Sequence, residues 1–436
     1  MFLAGLSAYR RGARRAPGRY CQRALRGTAP GDELRVRLSH LFLIATELWW
    51  FSNAAAQPVG DIVDSAMRAA ERTGDPGLLG MANCVRGRYL LTTVGLPAAV
   101  TAFTAAAEFA TASGSVLAGL ESLSDLGHHT IGLDMARGLE VLQQAVELAD
   151  DDHEVPPCDL PLVRVLRARL PGLIGVAAFD HGRFGEAEAS LRQSVSELRK
   201  LRAWDYFSGI SNYLGQLLTE MGRFEEAEEV LLAALQPLYE HADLTTSQGY
   251  NLGLLGKLYL EWGRLDAAEE NVRAGWERLR DTQHSAVLPI LRNYLGEVLM
   301  NPANPHRDVA AARVLFSQTI DECQQTGFQR SEIGALSLRA LADLSSGDPR
   351  GALDASARAV DRLAAAGTMP ALRTEEVYAA RYKVLRAAGA VDEASPWLDR
   401  ARQVLDAKAA TIPSPALRQQ FLTGTPISRY IMTPDT

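Results

Sequence analysis

The chain has 436 residues, of which 47% are hydrophobic and 22% charged, and its net charge is -7. This composition is typical of a soluble folded protein, the acidic balance argues against direct nucleic-acid binding, and no stretch reaches the roughly 18 uncharged apolar residues of a membrane helix. The four cysteines, at 21, 84, 158 and 323, are far apart and form no metal-ligand spacing. We therefore expect reduced thiols, no metal and no cofactor, in a cytoplasmic protein.

The N-terminal segment is basic and then amphipathic. Its first 27 residues carry seven arginines and no acidic residue. We interpret residues 1–52 as a basic arm followed by the first capping helices, with the arginines either on a solvated helix or docking to a neighbouring domain, subunit or anionic surface. The aromatic cluster Trp49, Trp50 and Phe51 follows an amphipathic run, which favours core packing or a cap over ligand stacking.

A repeat of about 41 residues runs through most of the chain. Clear copies begin with GRFGEAEASL at Gly182, GRFEEAEEVL at Gly222 and GRLDAAEENV at Gly263, and weaker ones at Gly347 and Gly389. In each clear copy, apolar residues at three- and four-residue spacing precede the glycine, which predicts a helix that ends there in a left-handed turn. Because one helix pair cannot bury both of its apolar stripes, neighbouring pairs must stack. We predict an array over residues 53–405 and a capping helix and tail over 406–436.

Small residues in these units resemble those of the tetratricopeptide repeat. Gly215 and Ala227 are twelve residues apart, as are Gly175 and Ala187, and Gly256 and Ala268. The resemblance implies an all-α fold: a right-handed superhelical solenoid of antiparallel helix pairs, with helices longer than in the commoner repeat of roughly 34 residues.

Repeats of this length also resemble the C-terminal sensor arrays of large bacterial ATP-binding transcriptional regulators of the LuxR type, the group that contains the maltose-regulon activator. The tail segment IPSPALRQQFLTGTP is similar to the closing helix of bacterial regulatory tetratricopeptide proteins. The resemblance implies a role in bacterial transcriptional or signalling control. We do not expect ATPase activity, because the chain has no GxxxxGK[ST] loop. We do not expect DNA binding either, because the residues after 405 are too few for a DNA-binding module.

Candidate partner-binding residues follow from the same resemblance. In tetratricopeptide proteins the first helix of each pair lines the concave face, and positions three before, one after and five after its glycine point into the groove. From the residues at these positions, which also include Asn301, we take as candidates Asn212, Gln216, Glu220, Lys257, Glu261, Asn293 and Glu297. Three glutamates against one lysine favour a cationic or polar partner, which is a peptide, a protein or a small effector.

Catalytic and metal-binding arrangements are not evident. His128 and His129 have no acidic residue at the spacing of a metal motif, so we interpret them as structural. With no nucleophile motif, the first hypothesis is a non-catalytic sensor or protein-interaction module. The alternatives are a ligand-enclosing enzyme or biosynthetic accessory protein, and a homo-oligomeric scaffold.

Overall fold

The computed structural model describes residues 31–46, 53–150, 154–239, 245–281, 286–367 and 372–434, together with residues 5, 20, 21 and 23–25. Within these ranges every regular element is a helix, which confirms the all-α prediction. The helices are α1 Asp32–Thr46, α2 Asn53–Thr73, α3 Pro76–Thr93, α4 Leu96–Ser113, α5 Val116–Thr130, α6 Met135–Asp150, α7 Leu160–Asp180, α8 Phe184–Lys200, α9 Trp204–Glu220, α10 Phe224–Tyr239, α11 Thr245–Trp262, α12 Leu265–Leu279, α13 Leu288–Met300, α14 Val309–Thr326, α15 Gln329–Ser345, α16 Pro349–Ala366, α17 Thr374–Ala387, α18 Val391–Ala410, α19 Pro415–Gly424 and α20 Pro426–Met432.

Some sequence features lie outside the described residues. These are the aromatic cluster at 49–51 and, of the seven N-terminal arginines, all but the one at position 23. The proposed domain division stays a prediction, and its boundary at 405/406 falls inside α18. In the part of the chain that the structure describes, no helix combines the length and the apolar character needed to span a membrane.

The turns between paired helices fall where the repeat predicts them. Gly182, Gly222, Gly263, Gly347 and Gly389 have φ values of 72°, 70°, 82°, 75° and 80°. A side chain in this left-handed region is strained, whereas glycine adopts it at little cost. The repeat of about 41 residues is therefore a structural period, and each glycine ends the first helix of a pair.

Close helix approach explains most of the small residues. A Cβ atom added at Gly256 would lie 3.0 Å from the Ala268 carbonyl oxygen, and one at Gly175 would lie 3.2 Å from that of Ala187. These two contacts are as the pattern predicts. In all three pairs, however, the atom nearest to the added Cβ belongs to a residue one turn beyond the alanine: Val272 for Gly256, Leu191 for Gly175 (2.8 Å) and Leu231 for Gly215 (2.6 Å). At Gly215 the alanine is not among the nearest contacts, although the helix partner is the predicted one.

The superhelix closes on itself, because its C-terminal helices pack against repeats in the middle of the chain. The Thr411 hydroxyl donates a hydrogen bond to the Gly182 carbonyl (3.0 Å) and accepts one from the Phe184 backbone N–H (3.0 Å). Gln420 Nε2 donates to the carbonyl oxygen of Gly222 at 2.9 Å. Backbone carbonyls at two successive repeat turns are thus held by residues about 200 positions away.

A second contact joins α4 to the loop after α14. A Cβ atom added at Gly95 would lie 2.5 Å from the Thr326 carbonyl oxygen, and one at Gly327 would lie 2.9 Å from Pro97 Cδ. Such distances leave room only for glycine. The helices between these contacts therefore surround a central interior.

Candidate functional site

Two adjoining cavities occupy the interior of the superhelix. One has a volume of about 420 Å³ and is lined mainly by α9, α11, α13, α15 and α17. The other has a volume of about 300 Å³ and is lined mainly by α3, α5, α7 and α9. Ile290, Arg330 and Ser331 border both. Together they fall within the size range of small-ligand sites. We call them the charged cavity and the aromatic cavity, from the residues described below.

All seven candidate residues from the sequence face this interior. Those that line the charged cavity are Gln216, Glu220, Lys257, Glu261, Asn293 and Glu297. Asn212 lines the aromatic cavity. The first helix of each pair therefore provides the inner wall. That these residues contact a partner remains a prediction.

Lys257 joins two of the candidate glutamates. Its Nζ lies 2.8 Å from Glu261 Oε1 and 2.6 Å from Glu297 Oε1. Burial disfavours the charge of each group, but the two carboxylates hold the pKa of Lys257 above its usual value. Burial likewise opposes the charge of Glu261, yet Lys257 and Arg373 lower its pKa to about 2. For Glu297, burial and the nearby carboxylates of Glu376 and Glu261 outweigh Lys257, and its pKa is raised.

Cations from the C-terminal helices neutralise the remaining groove carboxylates. Lys408 Nζ lies 2.6 Å from Glu220 Oε1 and 2.9 Å from Glu375 Oε2. The guanidinium of Arg373 donates to Glu261 Oε1 at 2.9 Å and lies 3.7 Å from Glu220 Oε2. The exposed fractions of Glu220 and Glu261 are only 5% and 7%. These two residues are therefore buried members of an ion-pair network, not solvated groove positions.

The charge balance of the charged cavity differs from the count made in sequence. Besides Lys257, its cations include Arg330, Arg373 and Lys383, which come from α15, α17 and the segment before α17. Its acidic residues are Glu220, Glu261, Glu297 and Glu376. Four acids against four bases give no net charge. The preference for a cationic partner was predicted from an excess of glutamates, and the lining of the charged cavity has no such excess. The preference therefore stays a prediction.

Polar atoms without a partner also line the charged cavity. Asn293 Nδ2 donates to the Ser331 carbonyl at 3.1 Å, but its Oδ1 has no hydrogen-bond partner among the described residues. The Ser337 hydroxyl likewise has no hydrogen-bond partner among the described residues. Both residues are less than a tenth exposed. Buried polar atoms are normally satisfied, so a bound molecule that reaches these two atoms would supply hydrogen bonds that the described residues do not.

The aromatic cavity contains the histidine pair. His129 stacks on Phe103 with ring centroids 5.3 Å apart, and His128 meets the Tyr213 ring edge-on at 6.1 Å. Burial lowers the pKa of His128 well below its usual value and that of His129 to about 4, so both rings are neutral at pH 7. Among the described residues no cluster of three metal-ligating side chains occurs. The structural interpretation is compatible with this packing, but the sequence did not indicate that the pair borders a cavity.

A buried ion network supports one wall of the aromatic cavity. Asp125 accepts from Arg88 Nε and from the Arg169 guanidinium, each at 2.7 Å. Burial opposes its charge, but the two arginines hold the pKa of Asp125 well below its usual value. The Arg169 guanidinium also lies over the Tyr206 ring, 4.7 Å from its centroid. These charges are satisfied by each other.

The comparisons with known proteins agree with the repeat. The family model described as tetratricopeptide repeat matches residues 213–236. No curated protein sequence matches the chain significantly.

Several solved structures share the fold. A Rap protein complexed with competence and sporulation factor has 11% identity over 88% of this chain and 100% of that chain, with a TM-score of 0.58. The Rap conjugation gene regulator of plasmid pLS20, in complex with a Phr peptide, has 12% identity over 87% and 96% and a TM-score of 0.55. NprR in complex with its cognate peptide NprX has 15% identity over 87% and 99% and a TM-score of 0.54. At these identities the likeness shows the common fold.

Proposed function

We propose that this chain, a tetratricopeptide-type helical array, is a non-catalytic regulatory module that encloses a short peptide in the charged cavity. What supports the proposal most is the position of the candidate residues: six of the seven line that one cavity. Bacterial transcriptional or signalling control is the context that the repeat length suggests.

The backbone of a peptide suits the polar groups of the charged cavity. An extended peptide supplies N–H donors and C=O acceptors at regular spacing, and the lining residues include an acceptor, Asn293 Oδ1, and a hydroxyl, that of Ser337, with no hydrogen-bond partner among the described residues. Because the wall carries equal numbers of acidic and basic residues, peptide side chains of either charge can lie at the edges of the cavity. Solved structures of the same fold include complexes with peptides, which is consistent with this use.

Gly334 provides the test. It lines the charged cavity on α15, and a Cβ atom added there would meet only Asn293 Nδ2, at 3.6 Å. Gly334→Leu therefore places an isobutyl group in the cavity without a clash with the backbone. The matched control is Ala364→Leu, because Ala364 is exposed on α16.

The protein is purified under native conditions from its own cells and bound molecules are identified by mass spectrometry. We expect a peptide with the wild type and with Ala364→Leu, and its loss with Gly334→Leu. The isolated peptide should bind Gly334→Leu at least tenfold more weakly, a loss of about 1.4 kcal/mol. Absence of a peptide from the wild type, or equal binding to Gly334→Leu, would refute the proposal.

A second candidate is a ligand-enclosing accessory protein or enzyme. The observation that favours it is the C-terminal side of the charged cavity, where Arg373 lines the wall and pairs with Glu261, because cavities with a few convergent polar groups are typical of small-molecule sites. In the same experiment this candidate gives a bound small molecule that Gly334→Leu displaces.

A further inference from the structure

The wall of the aromatic cavity is made of rings and aliphatic side chains. Tyr206, Tyr213 and Tyr250 line it from α9 and α11, together with the His128 and His129 rings and several Leu, Ile and Val side chains. Ring faces and edges favour another aromatic group over an aliphatic one of the same size. With a volume of about 300 Å³, the cavity is at the lower end of ligand sites.

The charged groups around this cavity already interact within the chain. Asp125 is paired with Arg88 and Arg169, and Asp180 and Arg330 also have interactions of their own. The two histidines are neutral at pH 7 because burial disfavours their charged forms. A charged ligand would lose its hydration here and would have to compete with these existing partners for a counter-ion, which is costly.

Two uncharged polar atoms of lining residues are buried without a hydrogen-bond partner in the part of the chain that the structure describes. They are Nδ1 of His128 and the hydroxyl oxygen of Ser208, whose residue is 2% exposed. Both residues line the cavity. A neutral imidazole nitrogen and a hydroxyl together accept or donate hydrogen bonds, depending on the tautomer. They suit a small neutral group such as a hydroxyl or an N–H.

We infer that the aromatic cavity binds a single uncharged aromatic ring bearing a hydrogen-bonding group, of the phenol or indole type. The ring is either a free molecule or a side chain of the peptide in the adjoining charged cavity, and only the second source rests on the proposed function.

Gly209 allows the cavity to be filled selectively. It lies on α9 and borders the cavity, and no heavy atom lies within 4 Å of a Cβ atom built there. Gly209→Leu therefore blocks the cavity without overpacking, and it removes a helix-interior glycine, which favours the helix. Gly334→Leu, which fills the charged cavity, is the matched control. A raised or unchanged melting temperature shows that Gly209→Leu folds.

Binding is measured by calorimetry with p-cresol, benzoate and cyclohexanol. We expect p-cresol to bind the wild type and Gly334→Leu equally, and Gly209→Leu at least tenfold more weakly. Benzoate and cyclohexanol should each bind at least tenfold more weakly than p-cresol. Ser208→Ala should weaken the binding of p-cresol but not the binding of toluene. Failure of p-cresol to bind, equal binding of benzoate, or insensitivity to Gly209→Leu overturns the inference.

A final comparison identifies the source of the ring. N-acetyl-tyrosinamide binding more tightly than p-cresol indicates a peptide side chain, whereas p-cresol binding as tightly or more tightly indicates a free molecule. If p-cresol binds as expected but no peptide copurifies with the wild type, the proposed function fails and the aromatic site stands.

Discussion

Lys408→Met should destabilise the protein far more than an equivalent change on its surface. The Lys408 ammonium lies 2.6 Å from Glu220 and 2.9 Å from Glu375, and these two glutamates are 5% and 1% exposed. Methionine keeps most of the aliphatic stem, so the substitution removes mainly the charge. Two buried carboxylates then lose their main counter-ion, and only Glu220 retains a more distant one, Arg373 at 3.7 Å.

The matched control is Lys200→Met. Lys200 Nζ also lies 2.6 Å from a carboxylate, that of Glu197, but the two side chains are 67% and 48% exposed. Removing one partner of a buried ion pair costs about 3–5 kcal/mol, whereas an exposed pair contributes about 0–1 kcal/mol. The two variants thus differ in burial and in the number of carboxylates that lose a counter-ion, two against one, and we expect their costs to differ by about 3 kcal/mol.

The free energy of unfolding is measured by urea denaturation followed by circular dichroism. Lys408→Met should unfold at a clearly lower urea concentration than the wild type, and Lys200→Met at nearly the same one. Adding Glu220→Gln to Lys408→Met should recover part of the loss, because a neutral amide costs less to bury than an unpaired carboxylate. Equal midpoints for Lys408→Met and Lys200→Met would show that the C-terminal helices do not close the interior in solution.

Two further predictions concern pH and the closing contacts. Between about pH 6.5 and pH 4, His129 takes up a proton in the unfolded chain but not in the folded one. The free energy of unfolding therefore falls as the pH falls through this window, by up to about 3 kcal/mol for that group. His129→Phe should make the urea midpoint depend less on pH over that range, and an unchanged slope would contradict burial of the neutral ring. Gly222→Ala and Gly263→Ala both place a side chain at a left-handed turn, but of the two only a Cβ atom at Gly222 would meet a neighbouring helix, 2.8 Å from Gly424 Cα. Gly222→Ala should therefore lower the free energy of unfolding by about 1–3 kcal/mol more than Gly263→Ala, measured by thermal or urea unfolding. Equal losses would argue against this contact.

The local parts of the fold could be predicted from the sequence because they depend on short-range spacing. The turn at Gly222 follows from an apolar helical stripe that stops at a glycine. The inward position of Glu220 and Glu261 follows from helix periodicity, which fixes which side chains share a face. Even the approach of Gly256 to Ala268 could be read from two small residues twelve apart. Each of these features involves one helix pair or its immediate neighbour.

Closure of the superhelix could not be predicted in this way. Whether Lys408 meets Glu220 depends on the small rotation between successive repeats summed over several of them, and no residue pattern specifies that sum. In the sequence, Arg373 and Lys408 resemble any other helical cations. The same limit applies to the aromatic cavity, since His128 and Tyr250 are brought together by tertiary packing alone.

The closing contacts between α18–α19 and the turns at Gly182 and Gly222 change how the array unfolds. In an open solenoid each repeat contacts only its neighbours, so repeats can fray from an end one at a time. Here the last helices are bound to the middle of the chain as well as to the repeat before them. Detaching the C-terminal end exposes buried carboxylates near the centre of the protein. The ends and the middle are therefore coupled, and loss of the terminal helices weakens repeats that precede them by about 200 residues.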